Sequence, residues 1–394
     1  MKKLILIISL IFASHIIDAQ VINLVKDNLY AVTNDWETIF DNFKKLTVFD
    51  DGTAMISHKN ENRYSLFDKN GKLVKDIRIY FEDSKKKPFN LQPVFGKLGE
   101  LYFTGNNSQG YIYMFNDNGL IVNELKIDYS ALDMLALDDS HIAIYGSTSW
   151  QTKSRYFISI VDIKTGKDKI IYDYFRSDFR ATNDEDYIIY ANVYVKDMPE
   201  MAKMSDKLIV ALSDVGKIRI YTSSGDFIEE KQLDWQPKTL SVEEQKVIQT
   251  NAINKYREQL EAFQKKTKFK SEDGTIYENY DNKELVQRVQ ELLNMIENGM
   301  EHITKPITIG WFTASKKGLG DNVIFFEDAT ESGENKFRTY SVEQGRTLSQ
   351  NSFQCADYNL AITKNHFVIN NGYVYGVQEL KDLKGEMRLV RFKL

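Results

Sequence analysis

A short phrase recurs along the chain and constrains its fold more than any other feature. In each copy an alternating strand, often ending on an aromatic residue and an Asp, runs into a glycine turn and a second strand. The turn glycines are Gly71, Gly119, Gly166, Gly225 and Gly345. The first two copies place Asn-Gly at the turn, where both residues accept positive φ. Each copy therefore predicts a β-hairpin.

The spacing of these hairpins predicts the architecture. Two further strands precede each hairpin, and the copies recur at roughly 40 to 60 residues, which is typical of a β-propeller. A sixth unit begins at residues 366–376, continues through 387–394 and lacks its fourth strand. Residues 21–25 are the predicted donor of that strand, because closing the ring removes exposed sheet edges. The sequence thus predicts an all-β, six-bladed propeller, with seven blades as the alternative if residues 36–43 hide a divergent unit.

The interval between the last two turn glycines contains a helical segment at residues 241–305. Ser241 and Glu244 have the spacing of a capping box, which starts a helix. Apolar residues then recur at helical spacing in two stretches, Ile248, Ala252, Tyr256, Leu260 and Phe263, then Val286, Val289, Leu293, Ile296 and Met300. This pattern predicts an antiparallel helical hairpin between blades four and five. It would lie on the face that carries the connections between blades, near the mouth of the central channel.

The first residues resemble an export signal. Lys2 and Lys3 precede a short apolar run and a small residue, so residues 1–19 are a predicted signal peptide cut after Ala19. An uncleaved anchor helix is the alternative, and no Cys follows the run to carry a lipid. The predicted organisation is a signal peptide (1–19), blades one to four with the closing strand (20–240), the helical insertion (241–305) and blades five and six (306–394).

Composition excludes several classes of function. The formal net charge is −5, with 51 Lys and Arg against 56 Asp and Glu, which gives no general attraction to nucleic acid. Cys355 is the single cysteine, so no intramolecular disulfide forms, and a buried small residue is its expected role. After the first run, no stretch of the sequence is long and apolar enough to cross a membrane.

Few residues suggest a site. Arg176 and Arg180 stand among aromatic residues in the predicted connection from blade three to blade four, where they would contact a carboxylate or a sugar. A structural loop is the alternative for this segment. Asn116 to Gly119 weakly suggests a calcium loop, but Glu124 comes one residue too early for the final ligand and strands flank the segment. The scattered histidines and the absence of nucleophile motifs lead to no predicted catalytic, cofactor or metal residue. Acidic pairs such as Asp138-Asp139 are expected to be solvated loops.

The hairpins at Phe67 to Gly71 and Phe115 to Gly119, with the closing strands at Tyr373 to Gly376 and Leu389 to Leu394, carry a family resemblance. The chain resembles the exported six-bladed propeller proteins of Bacteroidetes and, more broadly, the TolB-like and NHL-like propeller superfamily. The resemblance covers nearly all of the mature chain except the helical insertion. It implies a fold and an envelope location in a Gram-negative bacterium, in the periplasm or outside the cell. It transfers no catalytic residue.

These observations favour a non-catalytic binding or scaffold protein that docks a protein or glycan partner in the cell envelope. The alternative is a carbohydrate-active or lyase-like enzyme with its site at the channel mouth. A third possibility is an assembly part whose helices oligomerise.

Overall fold

The structure is a computed structural model of the 394-residue chain. It describes residues 19–31, 43–59, 62–81, 91–106, 110–150, 153–177, 199–212, 215–235, 238–265, 268–270, 276–278, 280–304, 306–309, 312–317, 322–327, 336–360, 366–382 and 387–393. The predicted signal peptide before Ala19, the segment around residues 36–42 and Arg180 lie outside these ranges.

The described strands form a six-bladed β-propeller, preceded by two short strands, β1 (Ala19–Asn23) and β2 (Val25–Lys26). Blade one contains β3 (Phe43–Val48), β4 (Ala54–His58), β5 (Arg63–Phe67) and β6 (Leu73–Arg78). Blade two contains β7 (Gly96–Leu98), β8 (Leu101–Asn106), β9 (Tyr111–Phe115) and β10 (Ile121–Lys126). Blade three contains β11 (Ser130–Ala136), β12 (His141–Trp150), β13 (Lys153–Asp162) and β14 (Asp168–Ser177). Blade four contains β15 (Glu200–Met204), β16 (Lys207–Leu212), β17 (Lys217–Thr222) and β18 (Phe227–Gln232).

Helices and two small ribbons follow. The helical region contains β19 (Lys238–Leu240), α1 (Val242–Lys265), β20 (Lys268–Lys270), β21 (Ile276–Glu278), α2 (Tyr280–Gly299), a 3-10 turn (Met300–His302) and β22 (Ile307–Ile309). Blade five contains β23 (Phe312–Lys317), β24 (Asn322–Glu327), β25 (Lys336–Ser341) and β26 (Arg346–Gln354). Blade six contains β27 (Tyr358–Asn359), β28 (Phe367–Asn370), β29 (Tyr373–Leu380) and β30 (Met387–Lys393). Successive strands within each blade pair antiparallel, as a meander requires; in blade six both β27 and β28 pair with β29.

Six apolar clusters close the ring, one at each interface between neighbouring blades. Blades one and two, for example, share Phe49, Tyr64 and Phe115, whereas blades six and one share Leu46 and Tyr375. The other four interfaces have equivalent clusters. Both faces of every sheet are therefore covered by a neighbour, which explains why strands such as β4 are buried along their whole length.

The turn glycines have the backbone that the sequence predicts. All five turn glycines, at positions 71, 119, 166, 225 and 345, have positive φ between +66° and +82°. The side chain of the Asp or Asn that precedes the turn stabilises it by hydrogen bonding. Asp68 Oδ1 accepts hydrogen bonds from the backbone N–H groups of Asn70 and Lys72, each at 2.9 Å. Asn116 does the same for Asn118 and Leu120. These side chains are turn supports, as the hairpin interpretation predicts.

The N-terminal strands complete the ring differently from the sequence prediction. Val25 and Lys26 in β2 pair with β30 and supply the outermost strand of blade six, because β27 and β28 both lie along β29 on the other side. Residues 19–23, however, form β1, which adds a fifth, parallel strand to β26 of blade five. The predicted donor, residues 21–25, is thus divided between two blades. The reason is Leu24, which is buried in the cluster between blades five and six, so the chain crosses from one blade to the next at that residue.

The helical segment forms an antiparallel pair, as the periodicity predicts. Ile253, Leu260, Leu293 and Ile296 make the buried seam between α1 and α2. Ser241 N donates to Glu244 Oε2 at 2.8 Å and Glu244 N donates to Ser241 Oγ at 3.1 Å, so the predicted capping box is present. The joint that the sequence leaves as a polar loop contains a small antiparallel ribbon of β20 and β21. At the base of the pair, β19 and β22 bring Leu240 opposite Ile307.

Candidate functional site

The innermost strands converge on a central cavity of about 510 Å³. Its lining is drawn from residues 45–51, 95–100, 133–139, 200–203 and 368–370, in blades one to four and six. Most of these positions are the later residues of the first strands and the turns that follow them, whereas residues 200–203 begin β15. Since an antiparallel blade places its first and third turns at one end, the cavity lies toward the same end of the channel as the glycine turns. The site suggested by Arg176 and Arg180 was predicted for the opposite end.

Charged side chains dominate the lining. Seven carboxylates belong to it, from Asp50, Asp51, Glu100, Asp133, Asp138, Asp139 and Glu200. Three lysines face them, Lys45, Lys97 and Lys203. The lining is therefore more negative than positive, and its negative charges come from four different blades.

The lysines connect the blades across the channel. Lys45 Nζ lies 3.7 Å from Asp133 Oδ1, and Lys203 Nζ lies 3.7 Å from Asp50 Oδ2. Lys97 Nζ lies between two carboxylates, 3.5 Å from Asp51 and 3.6 Å from Glu100. Each distance is longer than a tight charge-assisted hydrogen bond. These contacts are ion pairs that link blades one to four across the channel.

Two cavity carboxyl groups have perturbed pKa values. Burial alone would raise the pKa of Asp51, but hydrogen bonds from Thr53 and the charge of Lys97 outweigh it and lower the pKa. Burial likewise opposes ionisation of Asp138, but hydrogen bonds from Ser223, the Ser140 N–H and His141 hold its pKa below the ordinary value. Both groups are thus stabilised as anions.

Neutral polar groups complete the lining. Asn370 is 3% exposed, and its Nδ2 donates to the Phe49 carbonyl at 2.7 Å. Its Oδ1 is buried and accepts no hydrogen bond in the part of the chain that the structure describes. Thr47 Oγ1 donates to the Val94 carbonyl at 2.6 Å. The Lys45 ammonium lies 4.3 Å from the centre of the Phe95 ring, so the cavity already contains one cation–π contact.

Arg176 lies near the end of β14, where its backbone is opposite Ser154, and Arg180 lies outside the described residues. The site that they suggested stays a prediction.

The cavity residues themselves carried a sequence signal that was overlooked. Acidic residues follow the first strand in three successive units, at Asp50-Asp51, Glu100 and Asp138-Asp139. Their common position in the repeat predicts one ring of negative charge, whereas each pair alone resembles a solvated loop.

Other potentially reactive groups are scattered. Cys355 is buried at 8% exposure in the cluster between blades five and six, in agreement with its predicted role. His58 Nε2 lies 2.9 Å from Ser65 Oγ, which in turn donates to Asp76 at 2.6 Å. His58 and Ser65 are both buried in blade one, so these hydrogen bonds stabilise the sheet. Across residues with described placement, no cluster of three or more His, Cys, Asp or Glu could hold a metal ion.

No family model matches the chain, and no curated protein is similar to it in sequence. Among solved structures it is similar to a member of the DUF4221 family from Bacteroides vulgatus, at 11% identity and a TM-score of 0.47, over 94% of this chain and 97% of that one. It is also similar to a protein from Bacteroides fragilis classed as exported, at 12% identity and a TM-score of 0.45, over 91% and 87% of the two chains. BamB from Moraxella catarrhalis is similar at 11% identity and a TM-score of 0.34, over 89% and 82%. Similarity at this level concerns the general fold and not function.

No helix in the described ranges is both long enough and apolar enough to cross a bilayer.

Proposed function

We propose that this protein is a non-catalytic binding scaffold of the cell envelope, in which a rigid propeller presents a helical hairpin, inserted between blades four and five, to a protein partner. The observation that carries the proposal is that α1 and α2 form their own buried seam, separate from the six clusters between the blades. A self-supporting pair of helices needs little surface from the propeller. Its outer faces therefore stay available for docking.

The attachment of the hairpin supports this role. The β19–β22 ribbon holds its two ends together, and Gln245 Nε2 donates to the Leu240 carbonyl at 3.2 Å. Gln249 is fully buried, and its Nε2 donates to the Ile296 carbonyl at 2.8 Å, which ties α1 to the C-terminal part of α2. These contacts fix the relation of the helices to each other, so a partner would meet a preorganised surface.

Apolar side chains on the outside of the hairpin fit a protein partner better than a glycan. Val247 on α1 is 51% exposed and Leu285 on α2 is 40% exposed. Arg257 and Glu297 pair at 2.6 Å on the same hairpin, so apolar and charged groups alternate on its surface. Such a mixture is typical of a protein interface with a polar rim.

Two of the cavity carboxyl groups, Asp51 and Asp138, lack the electrostatics of a glycosidase acid. A glycosidase needs one carboxylic acid that stays protonated near neutral pH, and therefore has a raised pKa. The environments of Asp51 and Asp138 act in the opposite direction and lower the pKa of both. The envelope location rests on the predicted signal peptide at residues 1–19.

The experiment is cross-linking of the tagged protein in its native envelope, followed by identification of the attached protein. The double variant Val247→Asp, Leu285→Asp charges the hairpin, whereas Val215→Asp makes the same change at a propeller turn residue that is 46% exposed. We expect one defined partner that is lost with the double variant and retained with Val215→Asp.

A second variant separates docking from misfolding. Residues 241–304 are replaced by a short Gly/Ser linker, which is feasible because β19 and β22 place Leu240 opposite Ile307. Loss of the same partner from a variant that still melts cooperatively supports the proposal. Retention of the partner after removal of the hairpin contradicts it.

A further inference from the structure

The outer edge of blade five carries a strand beyond the blade's own meander. Strands β23 to β26 already form a four-stranded antiparallel sheet, and β1 adds to β26 as a fifth strand in parallel. We propose that the edge of β26 is a strand-addition site for an extended segment of a protein partner, and that β1 is the resident strand which such a segment displaces. This inference goes beyond the proposed docking function, because it concerns blade five and not the helical hairpin.

Closure of the ring depends on the residues that follow β1. Leu24 is buried between blades five and six, β2 pairs with β30, and Asp27 pairs with Arg391. Leu24 N also donates to the Gln354 carbonyl at 2.8 Å, which fixes the point at which the chain leaves β26. Residues 19–23 would therefore leave the edge without opening the ring.

Few side-chain contacts hold β1 in place. Val21 is 51% exposed, and Ile22 is only partly buried against the cluster between blades five and six. Asn23 Oδ1 accepts a hydrogen bond from the exposed Gln354 side chain. Parallel pairing is slightly less stable per residue than antiparallel pairing, and chain ends with little buried apolar surface open locally at low cost in free energy. The resident strand should therefore detach more easily than blade five unfolds.

The edge of β26 is longer than the strand that occupies it. β26 spans nine residues, Arg346–Gln354, whereas β1 pairs with residues 350–354. Among the described strands, none pairs with the outer side of residues 346–349, where Leu348 is 40% exposed. A longer segment would meet backbone groups there that β1 does not use. This surplus would offset the advantage that β1 has from being tethered to the same chain.

The register of β1 shows what kind of segment fits. Strand addition supplies affinity through backbone hydrogen bonds and specificity through alternate side chains. In β1 the side chain that packs on the apolar cluster is Ile22, whereas its neighbour Val21 is exposed. The fitting partner is therefore an extended segment in parallel orientation with an apolar residue at the position of Ile22.

The test is fluorescence anisotropy of a labelled peptide with the sequence of residues 15–24, titrated with the full-length protein. Ile22→Asp in the protein removes the apolar anchor of the resident strand. Val21→Asp is the matched control, because it introduces the same charge at the neighbouring exposed position. Thermal melting checks the fold of both variants.

We expect the peptide to bind Ile22→Asp about tenfold more tightly than the native protein or Val21→Asp, because a weakened resident strand leaves the edge open in a larger fraction of molecules. Equal affinities for all three proteins would overturn the proposal. Absence of saturable binding to Ile22→Asp would overturn it as well.

A disulfide separates binding at this edge from binding elsewhere. Gln20 is opposite Asn351 in the register, so Gln20→Cys and Asn351→Cys can be bridged, with Cys355→Ala to remove the native thiol. The bridge is introduced into the native protein and into Ile22→Asp. The oxidised forms should not bind the peptide, and reduction should restore binding in each.

Peptide binding by the oxidised forms would assign the peptide to another surface and overturn the proposal. No residue of the helical hairpin is altered in these variants. The strand-addition proposal and the docking proposal therefore fail independently.

Discussion

At the scale of single residues, the turn glycines serve packing as well as backbone conformation. A Cβ on Gly71, where φ is +75°, would lie 2.7 Å from the backbone nitrogen of Ala31. A Cβ on Gly119 would collide with the carbonyl oxygen of Arg78 in the preceding blade. At these two positions glycine therefore allows the turn to approach its neighbour closely.

Gly119→Ala is expected to destabilise the protein far more than Gly372→Ala. Both glycines have φ of +77°, but no atom lies within 4 Å of a Cβ at Gly372. Gly372→Ala should therefore lower the free energy of unfolding by about 1–2 kcal/mol, the cost of a left-handed backbone. Gly119→Ala should lower the free energy of unfolding by about 1–3 kcal/mol more, because of the collision. Chemical denaturation of the two variants measures the difference, and equal losses would show that packing at the turn is unimportant.

At the scale of elements, contacts between successive blades repeat with the fold. Lys75 of blade one reaches Asp117 in the next turn at 3.6 Å, and Lys169 of blade three reaches Asp226 at 2.7 Å. Arg391 of blade six donates to the Lys69 carbonyl in blade one at 2.8 Å. Basic side chains of the third or fourth strand of a blade thus contact the hairpin turn of the following blade. Exposed pairs of this kind contribute little stability singly, so they define register more than they stabilise the ring.

Ser241→Ala is expected to loosen the start of α1 without affecting the blades. It removes the hydroxyl that caps Glu244 N, at a cost of about 1 kcal/mol of helix stability. Amide hydrogen exchange should accelerate in the first turn of α1. Thr250→Ala is the control, because its hydroxyl donates to Lys246 O within the same helix and caps no free N–H. Similar acceleration in both variants would contradict a capping role.

At the scale of the whole molecule, residues 19–31 connect three blades and close the ring. Strands β1 and β2 extend blades five and six, and Ala31 N donates to Asn70 O of blade one at 2.8 Å. Arg391 secures this segment through Asp27, with its Nη2 2.7 Å from Oδ2. The Arg391 guanidinium also lies 4.5 Å from the ring centre of Tyr30.

Asp27→Asn is expected to lower the free energy of unfolding by about 3 kcal/mol at neutral pH, because it leaves the guanidinium without its buried counterion. The hydrogen bond from Arg391 holds the pKa of Asp27 below its ordinary value of 3.8. The pair therefore stabilises the fold fully above that pH, and the contribution disappears as the pH falls through the lower, folded-state pKa.

Denaturation measured from pH 7 downward checks both parts of this prediction. The difference between the native protein and Asp27→Asn should shrink as the pH falls below about 4. Asp128→Asn, which changes an exposed carboxyl group, is the control. Its free energy of unfolding should equal that of the native protein at each pH. If the difference in unfolding free energy stayed constant over this pH range, the loss of stability would not be due to the charge of Asp27, and the prediction would be wrong.

Much of the fold was predictable from the sequence, because hairpin turns and helix caps are local. Alternation and Asn-Gly fix the hairpins, and the spacing of Ser241 and Glu244 fixes the start of α1 within one residue of its observed start at Val242. The strand assignment near the N-terminus was only partly correct. The choice between blades five and six for residues 19–26 depends on where Leu24 is buried, and that is a property of the closed ring.

The candidate site was much less predictable. Asp50, Glu100 and Asp138 are far apart in the chain, and each alone has the character of a solvated turn residue, whereas Glu200 is a buried residue of β15. Only the radial arrangement of the blades brings them to one cavity and makes their charges additive. The sequence by itself therefore determined the repeat, the turns and the helical hairpin, since these rest on contacts within a few residues. The tertiary structure alone decided the path of ring closure and the acidic cavity, because both depend on contacts between residues in different blades, far apart in the sequence.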